Sequence, residues 1–265
     1  MTGWLSDVGV VLCDLDGVVW LQGEPIRGAV DAVARIRTSG RQVLFVTNNS
    51  LPTIRQHQVA LARIGIDARG AVVSSAGAAA SLVSTDDVVL VCGGLGIVEA
   101  VEAVGAKVVT PRHSVPTPDV VIVGLDKAFS YRTITVAARA VSGGARFVGT
   151  NSDPTYPTPL GSVPGAGALI ASVAVASGAE PLFAGKHCGP MADLVRRRIG
   201  VDALEGEKIL MLGDRPSTDG AFADKLGARF ALVRTGVTPP GAKADRHVDL
   251  DVADLVTVAD AMAHD

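Results

Sequence analysis

The sequence contains little cysteine. Only Cys13, Cys92 and Cys188 occur among its 265 residues, and no two of them form a Cys-x-x-Cys pair. An odd number of widely spaced cysteines argues against a disulfide framework and against a zinc site. Isolated cysteines are typical of proteins from a reducing compartment, so we expect a cytoplasmic protein.

The chain also has little excess charge. Its 24 Lys and Arg residues nearly balance its 27 Asp and Glu residues, which gives a formal net charge of -3, and neither sign forms a long run. Surfaces that bind nucleic acids or anionic membranes need concentrated positive charge. We therefore expect no nucleic-acid partner and no membrane partner.

A long apolar run is missing as well. The longest apolar stretch, residues 167–179, is rich in small side chains and is shorter than the roughly 20 residues that span a bilayer. Residues 1–14 lack a basic segment, and Asp7 and Asp14 interrupt their apolar run, which is not the pattern of a signal peptide. We expect neither a membrane-spanning helix nor a cleaved signal.

The chain contains many short apolar runs. Hydrophobic residues make up 48% of it, which is enough for a substantial core in one or two domains. Short valine-rich runs alternate with longer segments of helical spacing; examples are strands near 8–13, 43–46 and 208–211 and a helix near 218–226. This alternation predicts an α/β fold in which helices cover a mostly parallel sheet.

Two carboxylates end the first predicted strand. The segment CDLDGVVW, residues 13–20, places Asp14 and Asp16 directly after a buried apolar run. In open α/β sheets, ligands bind at the carboxyl ends of the strands. Neighbouring carboxylates repel each other unless a cation or a proton-transfer role accounts for them, although Asp and Gly are also ordinary turn residues. The segment is thus either a catalytic pair or a solvated turn.

Polar residues also end the next strand. The segment VTNNS, residues 46–50, brings Thr47, Asn48 and Asn49 to the start of a predicted helix. Hydroxyl groups and backbone amides at such a turn suit a phosphate group, because they donate at the positive end of the helix dipole. The alternative is a simple helix cap provided by Ser50 or Thr53.

A third strand end carries more carboxylates. The segment GDRPSTD, residues 213–219, contains Asp214 and Asp219. Together with Asp14 they form an oxygen-rich set of the kind that Mg²⁺ prefers. The alternative is again capping, with Ser217 or Thr218 at the start of the following helix.

Lys186 precedes another predicted helix, in the segment FAGKHCGPM. A lysine at this place can neutralise a phosphate group and a carboxylate at once, whereas most loop lysines are simply solvated. The lysine alone is weak evidence. Its combination with the three preceding segments is a strong signal.

These four segments resemble the motifs of the haloacid dehalogenase superfamily of phosphohydrolases, and most of all its 4-nitrophenylphosphatase or NagD-like branch. The matching segments are DLDGVVW, VTNNS, AGK and GDRPSTD. The resemblance implies a Rossmann-like three-layer core with a mostly parallel sheet, and an inserted α/β cap domain. It also implies hydrolysis of a small phosphomonoester that depends on Mg²⁺.

The resemblance also implies a role for each motif residue. Asp14 would be the nucleophile that forms an aspartyl-phosphate, and Asp16 the general acid and base. Lys186 would balance charge. Thr47, Asn48 and Asn49 would bind the phosphoryl group. Mg²⁺ would be bound by Asp14, the backbone carbonyl of Asp16 and Asp214, with Asp219 binding it through a water molecule or orienting the other ligands.

The implied domain division is 1–76 and 182–265 for the catalytic core and 77–181 for the cap. A cap loop with the sequence NSDPTYPTPLGSVPGAG contains Asn151 and Asp153, which are candidates for contacting the leaving group; alternatively, both only shape a proline-rich turn. The resemblance allows a homodimer formed through the cap. The substrate stays open among glycerol phosphate, phosphoglycolate, sugar phosphates, pyridoxal phosphate and nucleotide monophosphates.

Two departures from the family pattern stand out. The family commonly has proline after the motif lysine, but here His187 and Cys188 follow it. Adjacent side chains rarely face each other, so we interpret both as loop residues rather than as a nucleophile and its base. In the fourth motif, Pro216 is expected to stiffen the turn before the helix.

Three other functions need consideration. The segment around Gly94 and Gly96 looks like a dinucleotide-binding turn, but Glu99 stands where the third glycine should be, and its charge would face a pyrophosphate. A non-catalytic module that binds a phosphorylated ligand has no need for a second aspartate at position 16. Phosphate transfer to an acceptor other than water requires the same residues as hydrolysis.

Overall fold

The computed structural model describes residues 3–21, 23–111, 116–158, 161–200 and 206–264. The strands are β1 (Val10–Cys13), β2 (Trp20–Leu21), β3 (Glu24–Pro25), β4 (Gln42–Thr47), β5 (Val72–Ser74), β6 (Val88–Cys92), β7 (Lys107–Val109), β8 (Val120–Val123), β9 (Arg146–Gly149), β10 (Thr155–Thr158), β11 (Gly161–Pro164), β12 (Leu182–Phe183), β13 (Ile209–Gly213), β14 (Arg229–Val233) and β15 (Leu250–Val252). The helices are α1 (Ala29–Thr38), α2 (Ile54–Arg63), α3 (Ser75–Ala80), α4 (Leu95–Val104), α5 (Tyr131–Ser142), α6 (Ala166–Ser177), α7 (Gly189–Ile199), α8 (Ala221–Leu226) and α9 (Leu255–His264).

The chain divides into two compact units. The first comprises Met1–Thr47, Gln56–Val73 and Val195–Asp265, and the second comprises Asn48–Arg55 and Ser74–Leu194. The division predicted from the sequence, with a cap of residues 77–181, stays a prediction.

The first unit contains a six-stranded sheet with the order β15-β14-β13-β1-β4-β5. Strand β1 pairs in parallel with β13 on one side and with β4 on the other. All four residues of β1 are buried. A central strand of a parallel sheet is covered on both faces, which explains why its sequence is a continuous apolar run rather than an alternating one.

The second unit contains a five-stranded sheet with the order β12-β9-β8-β6-β7, and its paired strands are all parallel. Helices α5 and α6 pack against each other in this unit. One cluster of buried core residues in this unit comes from this sheet and these two helices: Leu90, Cys92, Val121, Val123, Ala137, Val141, Phe147, Ala166, Ile170 and Val173. Helix α5 begins where the side chain of Ser130 accepts a hydrogen bond from the N–H of Thr133, which is a standard N-cap.

The predicted fold class is confirmed: the protein is an α/β protein with mostly parallel sheets and a second α/β unit inserted into the first. The predicted proline-rich loop contains an antiparallel hairpin of β10 and β11, although residues 159–160 within it lie outside the described residues. Within the described ranges, none of the helices has the length and apolar character needed to cross a bilayer.

Candidate active site

Three neighbouring strands of the first unit bring polar residues to one edge of the sheet. Asp14 follows β1, Thr47 ends β4, and Asp214 follows β13. Cys13 pairs with Phe45 on one side and with Leu212 on the other, so the three strands end nearly level. Parallel strands point their carboxyl ends the same way, which is why residues far apart in sequence meet at this edge.

The carboxylates of Asp14, Asp214 and Asp219 form a cluster. Each offers one oxygen, and these oxygens lie within 4.8 Å of one another. Asp214 is 4% exposed and Asp219 is 1% exposed, while Asp14 is partly buried. Two ionised carboxylates at this separation repel by about 3 kcal/mol at an effective dielectric constant of about 20. Such a cluster is suited to binding a cation.

Asp214 is held by a main-chain hydrogen bond and lies against two glycines, Gly17 and Gly236. Val237 donates its N–H to Oδ2 of Asp214 at 2.6 Å. A Cβ atom at position 17 or at position 236 would clash with the same carboxylate, and Gly17 also has a φ of 88°, which favours glycine. Thr235 links the segments of these two glycines, because its Oγ1 donates a hydrogen bond to the carbonyl of Gly17 at 2.5 Å.

Asp219 is held by a different segment. Its Oδ2 accepts a hydrogen bond from the N–H of Arg215 at 3.1 Å, and a Cβ at position 213 would clash with its side chain. Residues Pro216–Gly220 form a π-helical turn ahead of α8. The N-cap of α8 is Gly220, with no side-chain hydrogen bond, so the alternative that Ser217 or Thr218 caps this helix is wrong.

Asp16 lies outside the group of three carboxylates. Its Oδ1 accepts a hydrogen bond from the indole N–H of Trp20 at 3.1 Å, and the two residues also form an isolated backbone bridge. Asp16 is partly buried. The side chain of Asp16 therefore contacts Trp20, whereas that of Asp14 belongs to the carboxylate cluster.

The second unit gathers the other predicted residues. Lys186 is 2% exposed and Asn151 is 4% exposed. Asn151 donates Nδ2–H to the carbonyl of Asn48 at 2.8 Å and accepts at Oδ1 from the N–H of Asp153 at 3.1 Å. Asn49 accepts at Oδ1 from the N–H of Leu51 at 3.1 Å, so its side chain shapes the turn after Asn48.

The loop after Lys186 explains one departure from the family pattern. His187 has a φ of 62°, and the N–H of Cys188 donates to the carbonyl of Gly185 at 3.0 Å to close the turn. Proline is locked near a φ of about −65°. Position 187 in this conformation therefore excludes the proline that the family commonly has there.

The glycine-rich turn at residues 93–96 has a structural explanation. A Cβ at Gly94 would lie 2.5 Å from the carbonyl oxygen of Leu51, and one at Gly96 would lie 2.7 Å from that of Ser50. Glu99 accepts a hydrogen bond from the N–H of Ile54 at 3.1 Å, at the start of α2. These residues pack against their own chain, which gives the turn a role other than dinucleotide binding.

The sequence reasoning missed residues 235–237 and Trp20. The available signal was weak: Thr235 and Gly236 come shortly after β14, whose carboxyl end lies at the same sheet edge as that of β13. The indole of Trp20 carries a donor that needs a partner when buried.

Comparison with known proteins agrees with this geometry. The family model described as haloacid dehalogenase-like hydrolase matches residues 11–107, and the model described as HAD-hydrolase-like matches residues 183–264. An acid sugar phosphatase of Staphylococcus epidermidis is 33% identical over 231 residues, which are 86% of each chain.

Two solved structures have the same fold over almost the whole chain. The 4-nitrophenylphosphatase of Thermotoga maritima has a TM-score of 0.87 at 25% identity, and the alignment covers 98% of this chain and 99% of the other. A glycerol phosphate phosphatase of Mycobacterium tuberculosis, in complex with magnesium, has a TM-score of 0.84 at 31% identity, covering 95% of this chain and 77% of the other. The chain therefore belongs to the haloacid dehalogenase-like hydrolase family, within its NagD-like, 4-nitrophenylphosphatase branch.

Proposed function

We propose that this haloacid dehalogenase-like phosphatase hydrolyses a small phosphomonoester, with Mg²⁺ as its cofactor and Asp14 as its nucleophile. The observation that carries the proposal is the cluster of Asp14, Asp214 and Asp219, whose oxygens lie within 4.8 Å of one another. Carboxylate oxygens are the ligands that a hard divalent cation prefers. The magnesium complex of the related glycerol phosphate phosphatase supports the choice of metal.

The donor set fits the cation. Asp14, Asp214 and Asp219 would hold Mg²⁺ together with the backbone carbonyl of Asp16. Glycine at positions 17 and 236 leaves room for the carboxylate of Asp214. The bound metal would neutralise negative charge on the phosphoryl group and on the attacking carboxylate.

Asp14 and Asp16 would then carry out the two steps of the reaction. A carboxylate oxygen of Asp14 attacks phosphorus, the bond to the alcohol oxygen breaks, and Asp16 gives its proton to the departing alcohol. Asp16 next takes a proton from a water molecule, which attacks phosphorus and releases phosphate and Asp14. Each carboxylate is thus restored after one turnover.

Other residues of the proposal bind the phosphoryl group or balance its charge. The hydroxyl of Thr47 and the main-chain N–H of Asn48 would donate to phosphoryl oxygens, at the end of β4. Lys186 is a buried cation that would offset the negative charge. Residues 77–181, with Asn151 and Asp153, would form the cap that selects the leaving group.

The test is an assay with 4-nitrophenyl phosphate, with and without Mg²⁺. We expect turnover that needs Mg²⁺, is abolished by chelation, and falls at least about 1,000-fold in Asp14→Asn, because the nucleophile is removed. Activity that survives in Asp14→Asn, or that ignores a chelator, would refute the mechanism. A panel of sugar, glycerol and nucleotide phosphates compared by kcat/KM would then identify the substrate class.

Measuring free phosphate distinguishes hydrolysis from phosphate transfer to another acceptor. We expect free phosphate to be released in equal amount to the alcohol when no other acceptor is added. Release of the alcohol without phosphate would indicate that the phosphoryl group stays on the protein or goes to an acceptor. A cytoplasmic location and a homodimer stay predictions.

A further inference from the structure

The side-chain amide of Asn48 is engaged at both ends by groups of the second unit. Its Oδ1 accepts a hydrogen bond from the main-chain N–H of Lys186 at 2.8 Å. Its Nδ2 donates to Oδ2 of Asp153 at 2.9 Å. One amide thus joins two segments that lie 138 and 105 residues away in sequence.

The main chain of Asn48 is held as firmly as its side chain. The carbonyl oxygen accepts hydrogen bonds from Oγ of Ser75 at 2.7 Å and from Nδ2 of Asn151 at 2.8 Å. A carbonyl oxygen has two lone pairs, and both are used here. The backbone of Asn48 is therefore fixed independently of the contacts that its side-chain amide makes with Lys186 and Asp153.

The glycine before Lys186 makes the contact with Asn48 feasible. A Cβ at position 185 would lie 2.7 Å from Oδ1 of Asn48 and 2.7 Å from the carbonyl oxygen of Thr150. Any side chain at this position would push the Lys186 segment away from the amide. The sequence Gly-Lys therefore serves the hydrogen bond as well as the charge.

The buried cation gives this contact its importance. Lys186 is 2% exposed, and a buried ammonium group is useful only if its position is precise, since its charge is a point on a flexible stem. Fixing the main-chain N–H of a lysine restricts where the stem begins. A partner that holds that N–H therefore acts on the reaction through the lysine.

We infer that Asn48 is a positioning residue, whose side-chain amide fixes the main chain of Lys186 and the carboxylate of Asp153 relative to each other, and that this amide does not itself bind the phosphoryl group. The inference rests on the proposed function, in which Lys186 balances the charge of the phosphoryl group. It leaves the phosphoryl contacts of this segment to Thr47 and to the main-chain N–H of Asn48.

The test exchanges the hydrogen-bond donor and acceptor between positions 48 and 153. Asn48→Asp keeps an acceptor for the N–H of Lys186 but places a second carboxylate against Asp153, and we expect kcat/KM to fall at least tenfold. In the double variant Asn48→Asp/Asp153→Asn, the new amide at position 153 donates to the new carboxylate at position 48. We expect the double variant to recover at least tenfold over Asn48→Asp, mainly in kcat.

A phosphoryl-binding side chain predicts the opposite result. A carboxylate at position 48 would then repel the phosphoryl group in both variants, so the double variant would be no more active than Asn48→Asp. That result, in protein shown to be folded by circular dichroism, would overturn the inference. Asp126→Asn serves as the matched control for losing a carboxylate in the same unit, because the carboxylate of Asp126 accepts a hydrogen bond from the N–H of Ala128 in a turn; we expect its activity within twofold of the wild type.

A stability cycle tests the pairing independently of activity. Without metal and substrate, Asn48→Asp should lower the Tm and the double variant should restore it, because the repulsion is present in the folded protein only. Additive changes in Tm would mean that the two side chains do not interact, and would also overturn the inference. A wild-type protein inactive on every phosphomonoester would instead refute the proposed function, and the stability cycle would still decide on the pairing.

Discussion

The main-chain N–H of Val237 donates a hydrogen bond to Oδ2 of Asp214 over 2.6 Å, although 23 residues separate the two in sequence. Gly236, between Thr235 and Val237, has no room for a side chain because Asp214 occupies the space. The carboxylate of Asp214, a proposed metal ligand, is thus oriented by the main chain of the loop that follows β14. Partners of this kind commonly change metal affinity by 10- to 100-fold.

Gly236→Ala should therefore weaken Mg²⁺ binding. The added Cβ would clash with the carboxylate of Asp214, so this proposed ligand has to leave its position in the cluster. We expect the Kd for Mg²⁺, measured by isothermal titration calorimetry, to rise at least about tenfold. Gly9→Ala is the matched control, since a Cβ at position 9 meets nothing within 4 Å; an unchanged Kd in Gly236→Ala would contradict the prediction.

Thr235→Val should destabilise the loop that carries Gly236. The substitution removes the hydrogen bond from Oγ1 to the carbonyl of Gly17 with little change of shape. We expect the free energy of unfolding in urea to fall by about 1 kcal/mol. Thr235→Ser keeps the hydroxyl and should stay within a few tenths of the wild type; equal losses in both variants would show that the hydrogen bond contributes nothing.

Asp16→Asn and Asp214→Asn should fail in different ways. The side chain of Asp16 lies outside the carboxylate cluster and accepts from Trp20, so Asp16→Asn should keep the Kd for Mg²⁺ within about threefold while kcat falls by roughly 100- to 10,000-fold. Asp214→Asn should raise the Kd for Mg²⁺ by at least about tenfold. We would measure kcat and the Kd for Mg²⁺ on both variants. Equal values of Kd in the two variants would contradict the assignment of Asp214 as a metal ligand and of Asp16 as the general acid and base.

The three thiols should differ in reactivity. Cys13 and Cys92 are each 1% exposed, and burial raises the pKa of Cys92 to about 12, which keeps its thiol protonated and unreactive at pH 8. Cys188 is only partly buried. We expect Ellman's reagent to modify one thiol in the native protein and three after denaturation; rapid modification in Cys188→Ser would contradict this order.

The strand ends were predictable because they depend on local patterns. Asp14 and Asp214 each follow a short apolar run, and parallel strands bring their carboxyl ends to one edge whatever the details of the loops. The same reasoning placed Thr47 at that edge. It did not predict the partner of Asp16, because the indole of Trp20 reaches Asp16 through a tight turn in which the N–H of Gly17 donates to the carbonyl of Trp20.

The sequence alone determined which residues are candidates for the chemistry and at which strand ends they lie, because strand periodicity and motif spacing are local properties of the chain. Only the tertiary structure decided what holds them: Val237 on Asp214, and Asn48 between Lys186 and Asp153. These contacts join residues 23 to 138 positions apart. The hydrogen bonds of such pairs follow from how the sheets and loops pack, and no local pattern encodes them.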